Sequence, residues 1–318
     1  MRIGLLNNLR AGRNKRLGER ILREVEGAPD VMHFATPSAA AVPEAIERMR
    51  RADVELLIVN GGDGTLECAL TALLATGRPS WLPVIAPIRG GRTNMTAADL
   101  GAVRDGAQGL REIVADARAG KLEARIASRA VLRVARQRSG EVRCGMFAAA
   151  GMLGRAVSLT TRHLPKGRLQ ETIGVALVTC TLVANILTGA RGALMHPDEI
   201  GLAFDGKPLP DERRLVTLFT TLERLIFGFR PCWGAGEGPI RTTLVRGNAE
   251  RLARTIPQIL RGRAPAFATP EHGYTSARVS CASLRAGCEV TVDGELFPIE
   301  ADAAYTITAE ESVRFARA

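Results

Sequence analysis

The run Leu56-Leu57-Ile58-Val59-Asn60-Gly61-Gly62-Asp63-Gly64-Thr65-Leu66 constrains the chain more than any other stretch. Four consecutive apolar residues rich in β-branched types describe a strand buried on both faces, as in a parallel sheet. Three glycines then surround one aspartate. Thr65 opens an apolar run at helical spacing, Leu66, Ala69, Leu70, Leu73 and Leu74. A strand, a tight glycine turn and a helix N-terminus form a phosphate cradle: backbone N–H groups approach an anion without Cβ clash, and the helix dipole favours negative charge. Gly61, Gly62, Gly64 and Thr65 are therefore candidate nucleotide contacts. A carboxylate in such a place repels phosphate unless a cation or a proton-transfer role accounts for it. Asp63 thus points to Mg²⁺-nucleotide chemistry, as a metal ligand directly or through water.

The surroundings repeat the strand–helix alternation. Residues 2–7, 31–36 and 82–86 read as strands. Helical faces are marked by Leu17, Ile21, Leu22 and Val25, by Val42, Ile46 and Met49, by residues 95–100, and by Leu110, Ile113, Val114 and Ala117. This is a doubly wound parallel α/β domain over residues 1–122. Ligands of such sheets sit beyond the carboxyl ends of the strands. The loops 7–13, 36–38, 60–65 and 87–94 all follow strands, which adds Asn8, Arg10, Thr36, Arg92, Thr93 and Asn94 to the candidate nucleotide contacts. Arginine suits bidentate phosphate contact. After Gly120 the pattern becomes short strands separated by turns such as Asp205-Gly206-Lys207-Pro208: 130–136, 142–148, 199–204, 215–220, 242–245, 277–282 and 289–292. They predict a mainly antiparallel β-sandwich domain over 123–302, interrupted by helices near 170–190 and 248–260. The tail 303–318, with a strand at Tyr305–Thr308, is expected to return to the first domain.

Charge narrows the partners. The net charge is +10, and only four of the 43 basic residues are lysine, so an arginine-rich surface faces an anionic partner. Aromatic content of 4% and the lack of a nucleic-acid motif argue against base stacking or groove reading, so no nucleic-acid partner is expected. Membrane surfaces and phosphate ligands fit better. Arg162, His163, Lys166 and Arg168 precede an uncharged stretch, Thr172–Ala190, whose threonines and Asn185 favour a buried or membrane-facing helix over a span. Arg224, Phe227, Phe229, Arg230 and Trp233 mix basic and aromatic groups, suited to peripheral docking on an anionic membrane. Six scattered cysteines without C-x-x-C spacing read as buried thiols of a reducing compartment, placing the protein in the cytoplasm against the inner membrane. The four histidines lack ligand spacing and read as structural or surface groups. A homodimer is left open.

The Gly61-Gly62-Asp63-Gly64-Thr65 string resembles the diacylglycerol kinase catalytic domain family, which includes sphingosine and ceramide kinases; NAD kinases and phosphofructokinases carry a similar string. Pro87 through Gly101, with Thr93-Asn94, is similar to the second nucleotide loop of the lipid kinases. Met146–Val157 resembles the strand and glycine turn opening their second domain. Val292-Asp293-Gly294-Glu295 resembles their late Asp-Gly-Glu motif. The resemblance implies an ATP-dependent lipid kinase acting on diacylglycerol or a sphingolipid such as ceramide, with ATP and Mg²⁺ as cofactors. Asp293 is then the proton acceptor for the lipid hydroxyl, with Glu295 orienting it or the metal; the competing assignment makes Asp63 the base. A positioned carboxylate is worth about 10²–10⁴-fold in rate. The sequence departs from the family at Glu67-Cys68, at Arg92 and Met95, at Arg155 and at Glu237-Gly238, so a second, structural Mg²⁺ site is not carried over. An NAD kinase, and a catalytically silent nucleotide- or lipid-binding protein, are the alternative readings.

Overall fold

The computed structural model describes residues 1–12, 14–77, 79–162 and 193–317. His163, Lys166, Arg168 and the uncharged stretch 172–190 lie outside them, as does the side chain of Arg162. The chain divides into two compact units, Met1–Val131 with Glu311–Ala318, and Leu132–Glu310.

The first unit begins with β1 (Ile3–Asn7), α1 (Asn14–Glu26), β2 (Val31–Ala35), α2 (Val42–Arg51), β3 (Leu56–Gly61) and α3 (Asp63–Leu74). It continues with β4 (Val84–Arg89), α4 (Met95–Asp99), α5 (Gly106–Arg118) and β5 (Ile126–Ala130). β1 pairs in parallel with β2 and β3, and β3 with β4. Leu5, Leu6, Leu56, Leu57, Ile58 and Ile85 are fully buried because helices cover both faces. Ile21 of α1 and Leu110 and Ile113 of α5 pack with Leu5, Leu56 and Ile58. On the other face Met49 of α2 lies against Gly4.

The second unit runs β6 (Leu132–Arg136), β7 (Val142–Gly145), β8 (Phe147–Gly151), α6 (Met152–Arg162), β9 (Asp198–Phe204), β10 (Lys207–Pro208), β11 (Glu212–Thr220) and β12 (Ile240–Arg246). Then come α7 (Leu252–Leu260), β13 (Tyr274–Val279), β14 (Cys281–Ala286), β15 (Val290–Val292), β16 (Glu295–Leu296) and β17 (Ala303–Thr308). Its strands pair antiparallel, as expected, and are hydrogen-bonded into one continuous sheet along β16-β15-β8-β11-β9-β14-β17-β6-β7, with β10 on β9 and β12–β13 branching from β11. The last strand, β18 (Ser312–Ala316), re-enters the first unit between β4 and β5, giving the order β2-β1-β3-β4-β18-β5.

Two boundaries move from the sequence expectation. The first unit extends to Val131, because β5 pairs with β18. Only Glu311–Ala318 returns to it: β17 pairs with β14 and β6 and stays in the second unit.

Two other elements are cut by distant side chains. Residues 142–148 form two strands, because the Met146 N–H goes to Asp293 Oδ2 at 2.9 Å. Residues 277–282 also break, because Asp205 Oδ1 accepts from the N–H groups of Ser280 (3.0 Å) and Cys281 (2.8 Å).

Candidate functional site

The carboxyl ends of β1, β3 and β4 carry most of the sequence-predicted nucleotide contacts on adjoining loops. Asn8 joins two of these loops: its N–H donates to Asn60 O at 2.9 Å and its Nδ2 to Thr65 Oγ1 at 3.0 Å. Its Oδ1 accepts the Arg10 N–H at 3.1 Å in an Asx-type turn. The Arg10 side chain is exposed. Thr36 is buried, its N–H bound to Asn7 O at 2.9 Å and its Oγ1 enclosed without a hydrogen-bond partner.

The glycines are needed for loop-to-loop contact. A Cβ on Gly61 would lie 2.5 Å from Thr65, and one on Gly91 would lie 2.2 Å from the Gly62 Cα. The turn after β3 and the loop after β4 therefore touch backbone to backbone, leaving beneath them a cleft of about 10 Å³ lined by Gly61, Gly62, Asp63, Pro87 and Asn94. Arg92 is exposed and lays its stem across Gly12, linking the β4 loop to the β1 loop. Thr93 is half-buried beside it. Asn94, in the left-handed conformation with φ 49°, is a brace: its Oδ1 accepts the Gly91 N–H and its Nδ2 donates to Gly91 O, both at 2.7 Å. Its contribution to a ligand is the loop shape that it fixes.

Asp63 opens α3, and its Oδ1 accepts the Thr96 N–H at 3.3 Å at the start of α4. Burial pushes its carboxyl above the ordinary carboxylate range, opposed by N–H groups of Met95, Thr96 and Asn94. Asp63 thus ties the two loops together. Among the described residues no group of three or more His, Cys, Asp and Glu could hold a metal ion. A lone half-buried carboxylate fits a divalent cation that arrives with nucleotide phosphates, and it does not make an all-protein cage.

Beneath the loops lies a polar network that the motif reading did not include. Asn60 Nδ2 donates to Asn7 Oδ1 at 2.7 Å, and Asn7 Nδ2 meets His33 Nε2 at 2.9 Å. Asn14 donates its N–H to Gly90 O at 3.3 Å and its Nδ2 to Asn8 O at 2.8 Å. Asn7, Asn14 and Asn60 are all buried. A sequence signal was present: of the seven asparagines in the chain, Asn7, Asn8, Asn14, Asn60 and Asn94 all fall on this edge.

In the second unit, Asp293 and Gly294 both have positive φ (47° and 93°), the Asp-Gly hairpin turn between β15 and β16. Asp293 is buried, with Oδ2 held by the Met146 N–H and its own N–H bound to Phe147 O at 2.9 Å. Gly145 makes room for that carboxylate: a Cβ there would lie 2.4 Å from Asp293 Oδ2. Glu295 is exposed, opposite Val292 in the hairpin. Arg136 anchors the far side of the hairpin, donating to Pro298 O (2.9 Å) and pairing with Glu300 (2.7 Å) under the rings of Phe297 and Tyr305. Arg155 collects oxygens instead of standing in an acidic cluster: Asp198 Oδ2 and the carbonyls of Leu194 and His196. The Glu237-Gly238 turn belongs to a ribbon in which Gly234, Gly236 and Gly238 lie flat on β13.

Comparison with known proteins agrees with this layout. Residues 2–123 match the family model of the diacylglycerol kinase catalytic domain. The fold is similar to the crystal structure of a diacylglycerol kinase from Bacillus anthracis Sterne, at 14% identity and TM-score 0.61, over 98% of this chain and 96% of that one. A second structure from that organism, a candidate diacylglycerol kinase, is 15% identical at TM-score 0.66 over 98% and 95% of the two chains. No curated protein sequence matches the chain. The glycine turn, the second loop and the helices that carry them all lie within residues 2–123, the stretch that matches the diacylglycerol kinase catalytic domain model.

Proposed function

We propose that the protein is an ATP-dependent lipid kinase that transfers the γ-phosphoryl group of ATP to a hydroxyl of a membrane lipid, diacylglycerol or a sphingolipid such as ceramide. The supporting observation is the coincidence of the family match with the glycine-lined edge of the parallel sheet. Phosphoryl transfer asks a protein mainly for positioning and for neutralisation of charge. The N–H groups at the start of α3 and the Thr65 hydroxyl receive phosphate oxygens, and Arg92 adds a guanidinium from the second loop. Mg²⁺ accompanying the nucleotide would neutralise phosphate charge beside Asp63. Asp293 accepts the proton of the lipid hydroxyl as its oxygen bonds to the γ-phosphorus and ADP leaves. Glu295 is a weaker candidate for orienting the acceptor. Among the described residues no helix is long and apolar enough to cross a membrane. The reading has the enzyme meet its lipid peripherally, from the cytoplasmic side of the inner membrane, as the basic and aromatic group Arg224, Phe227, Phe229, Arg230 and Trp233 suggests.

The decisive measurement is phosphate transfer from radiolabelled ATP to a panel of diacylglycerol, ceramide, sphingosine and NAD. Label in a lipid is expected; label only in NAD, or ATP binding without transfer to any acceptor, would overturn the proposal. Two variants separate the carboxylates. D293N is expected to lower turnover by about 10²–10⁴-fold with ATP affinity retained. D63N, which loosens the start of α4, is expected to weaken ATP binding itself.

A further inference from the structure

We propose that the loop 224–230, together with the arginines that follow α7, is a docking surface for an anionic lipid bilayer. The proposal deepens the lipid-kinase reading and rests on it for its purpose, although its observations are independent of the nucleotide site. Phe227 has φ 58° and ψ 15°, and Gly228 follows at φ 76°. A bulky side chain in the left-handed region is a strained arrangement that glycine or asparagine would relieve. Hydrogen bonds from Leu225 N–H to Phe229 O (2.7 Å) and from Gly228 N–H to Leu225 O (2.9 Å) hold the turn closed. Phe227 is nevertheless 63% exposed, more than any other exposed large apolar side chain among the described residues, and its ring contact is the edge of Phe229 at 5.9 Å. Backbone strain that brings an aromatic ring out of the core, with no burial in return, points to an external partner.

The charge around the ring identifies that partner. The Arg230 N–H donates to Leu260 O at 2.9 Å, and the Arg230 side chain lies against Gly262, so the loop is fastened to the end of α7. Arg224, Arg230, Arg261 and Arg263 are all exposed, and Glu223 is the one acidic residue in segments 223–230 and 260–264. A protein partner would need a pocket shaped for one ring. A bilayer interface accepts a protruding phenyl group without a pocket, and its anionic headgroups satisfy separated guanidinium groups at the same depth.

The test uses the full chain and vesicles of phosphatidylcholine with or without phosphatidylglycerol, in the absence of ATP and diacylglycerol. Co-sedimentation is expected with the anionic vesicles and not the zwitterionic ones, weakening as salt rises. F227G removes the strain, so its Tm is expected to equal or exceed that of the parent, while vesicle partitioning falls about tenfold or more. The double charge reversal R261E/R263E is expected to lower partitioning at least about tenfold. Unchanged partitioning of F227G, equal binding to both vesicle types, or a Tm of F227G several degrees below the parent would each overturn the proposal. So would sedimentation velocity showing that Phe227 supports self-association in place of vesicle binding. A parent chain that phosphorylates detergent-dispersed diacylglycerol yet does not bind anionic vesicles removes this surface alone. Docking without phosphorylation of any acceptor removes the kinase reading instead.

Discussion

A single hydrogen atom on Gly91 allows two loops of the first unit to meet. A methyl group there would sit 2.2 Å from the Gly62 Cα, backbone against backbone, with no flexible side chain to move aside. G91A is therefore expected to destabilise the protein by about 1–3 kcal/mol and to weaken ATP binding, read by thermal melts with and without nucleotide. Gly145 is the counterpart in the second unit, where a Cβ would displace the Asp293 carboxylate. G145A is expected to lower kcat with little change in the KM for ATP; an unaltered kcat would remove Asp293 from the reaction. His33 gives a pH signature. Burial lowers its pKa below the ordinary value, and its Nε2 accepts from an asparagine amide already oriented by Asn60. A folded-state pKa below the unfolded one means that the unfolded chain binds more protons, so stability falls as pH drops through about 6.5. The parent is expected to lose Tm between pH 7 and pH 5 more steeply than H33Q. At this scale the glycine turn was legible because glycines between a strand and a helix have a steric meaning, whereas Asp293 was singled out by its resemblance to the Asp-Gly-Glu motif and its residues alone foretold only the hairpin turn that the structure shows. The asparagine network was not, because asparagine is read locally as a turn former, and its long-range partners appear only when β1, β2 and β3 lie side by side.

Helix α5 shows how local rules and distant contacts combine. Asp105 caps it, Oδ1 accepting from Ala107 N–H at 3.0 Å and Gln108 N–H at 3.4 Å, and pairs with Arg20 of α1 at 2.9 Å. D105A is expected to lose about 1 kcal/mol by denaturant titration, most of it the cap, since the ion pair is largely exposed. Such helices were legible from apolar spacing: Leu110, Ile113, Val114 and Ala117 form the buried face as the pattern required. The strands of the second unit were harder to delimit. Alternation runs smoothly through Met146 and Ser280, and only the carboxylates of Asp293 and Asp205, far away in sequence, divert the N–H groups there. Strand breaks made by distant side chains leave no periodic trace.

On the scale of the molecule, the mainly parallel first unit, with its antiparallel edge strand β5, and the antiparallel second one were both visible in outline, because strand–helix alternation and turn-separated strands are patterns of different period. The extent of the returning tail was not. Tyr305–Thr308 and Ser312–Ala316 are both short apolar strands, and pairing alone assigns the former to β14 and β6 and the latter to β4 and β5. Val313, Phe315 and Ala316 are fully buried in that position. Truncation after Glu310 is expected to abolish ATP binding and amide protection throughout β3 and β4, while β11 and β12 stay protected in hydrogen exchange. Synthesis order gives the inserted strand a further consequence. A ribosome finishes β4 and β5 long before it reaches Ser312, and all of Leu132–Glu310 is translated between them and the strand that joins them. Throughout that interval β4 presents an open apolar edge, an invitation to stray pairing with other nascent chains. The sheet begun first is thus the last to close, and its yield in the cell should depend on how well that edge is chaperoned.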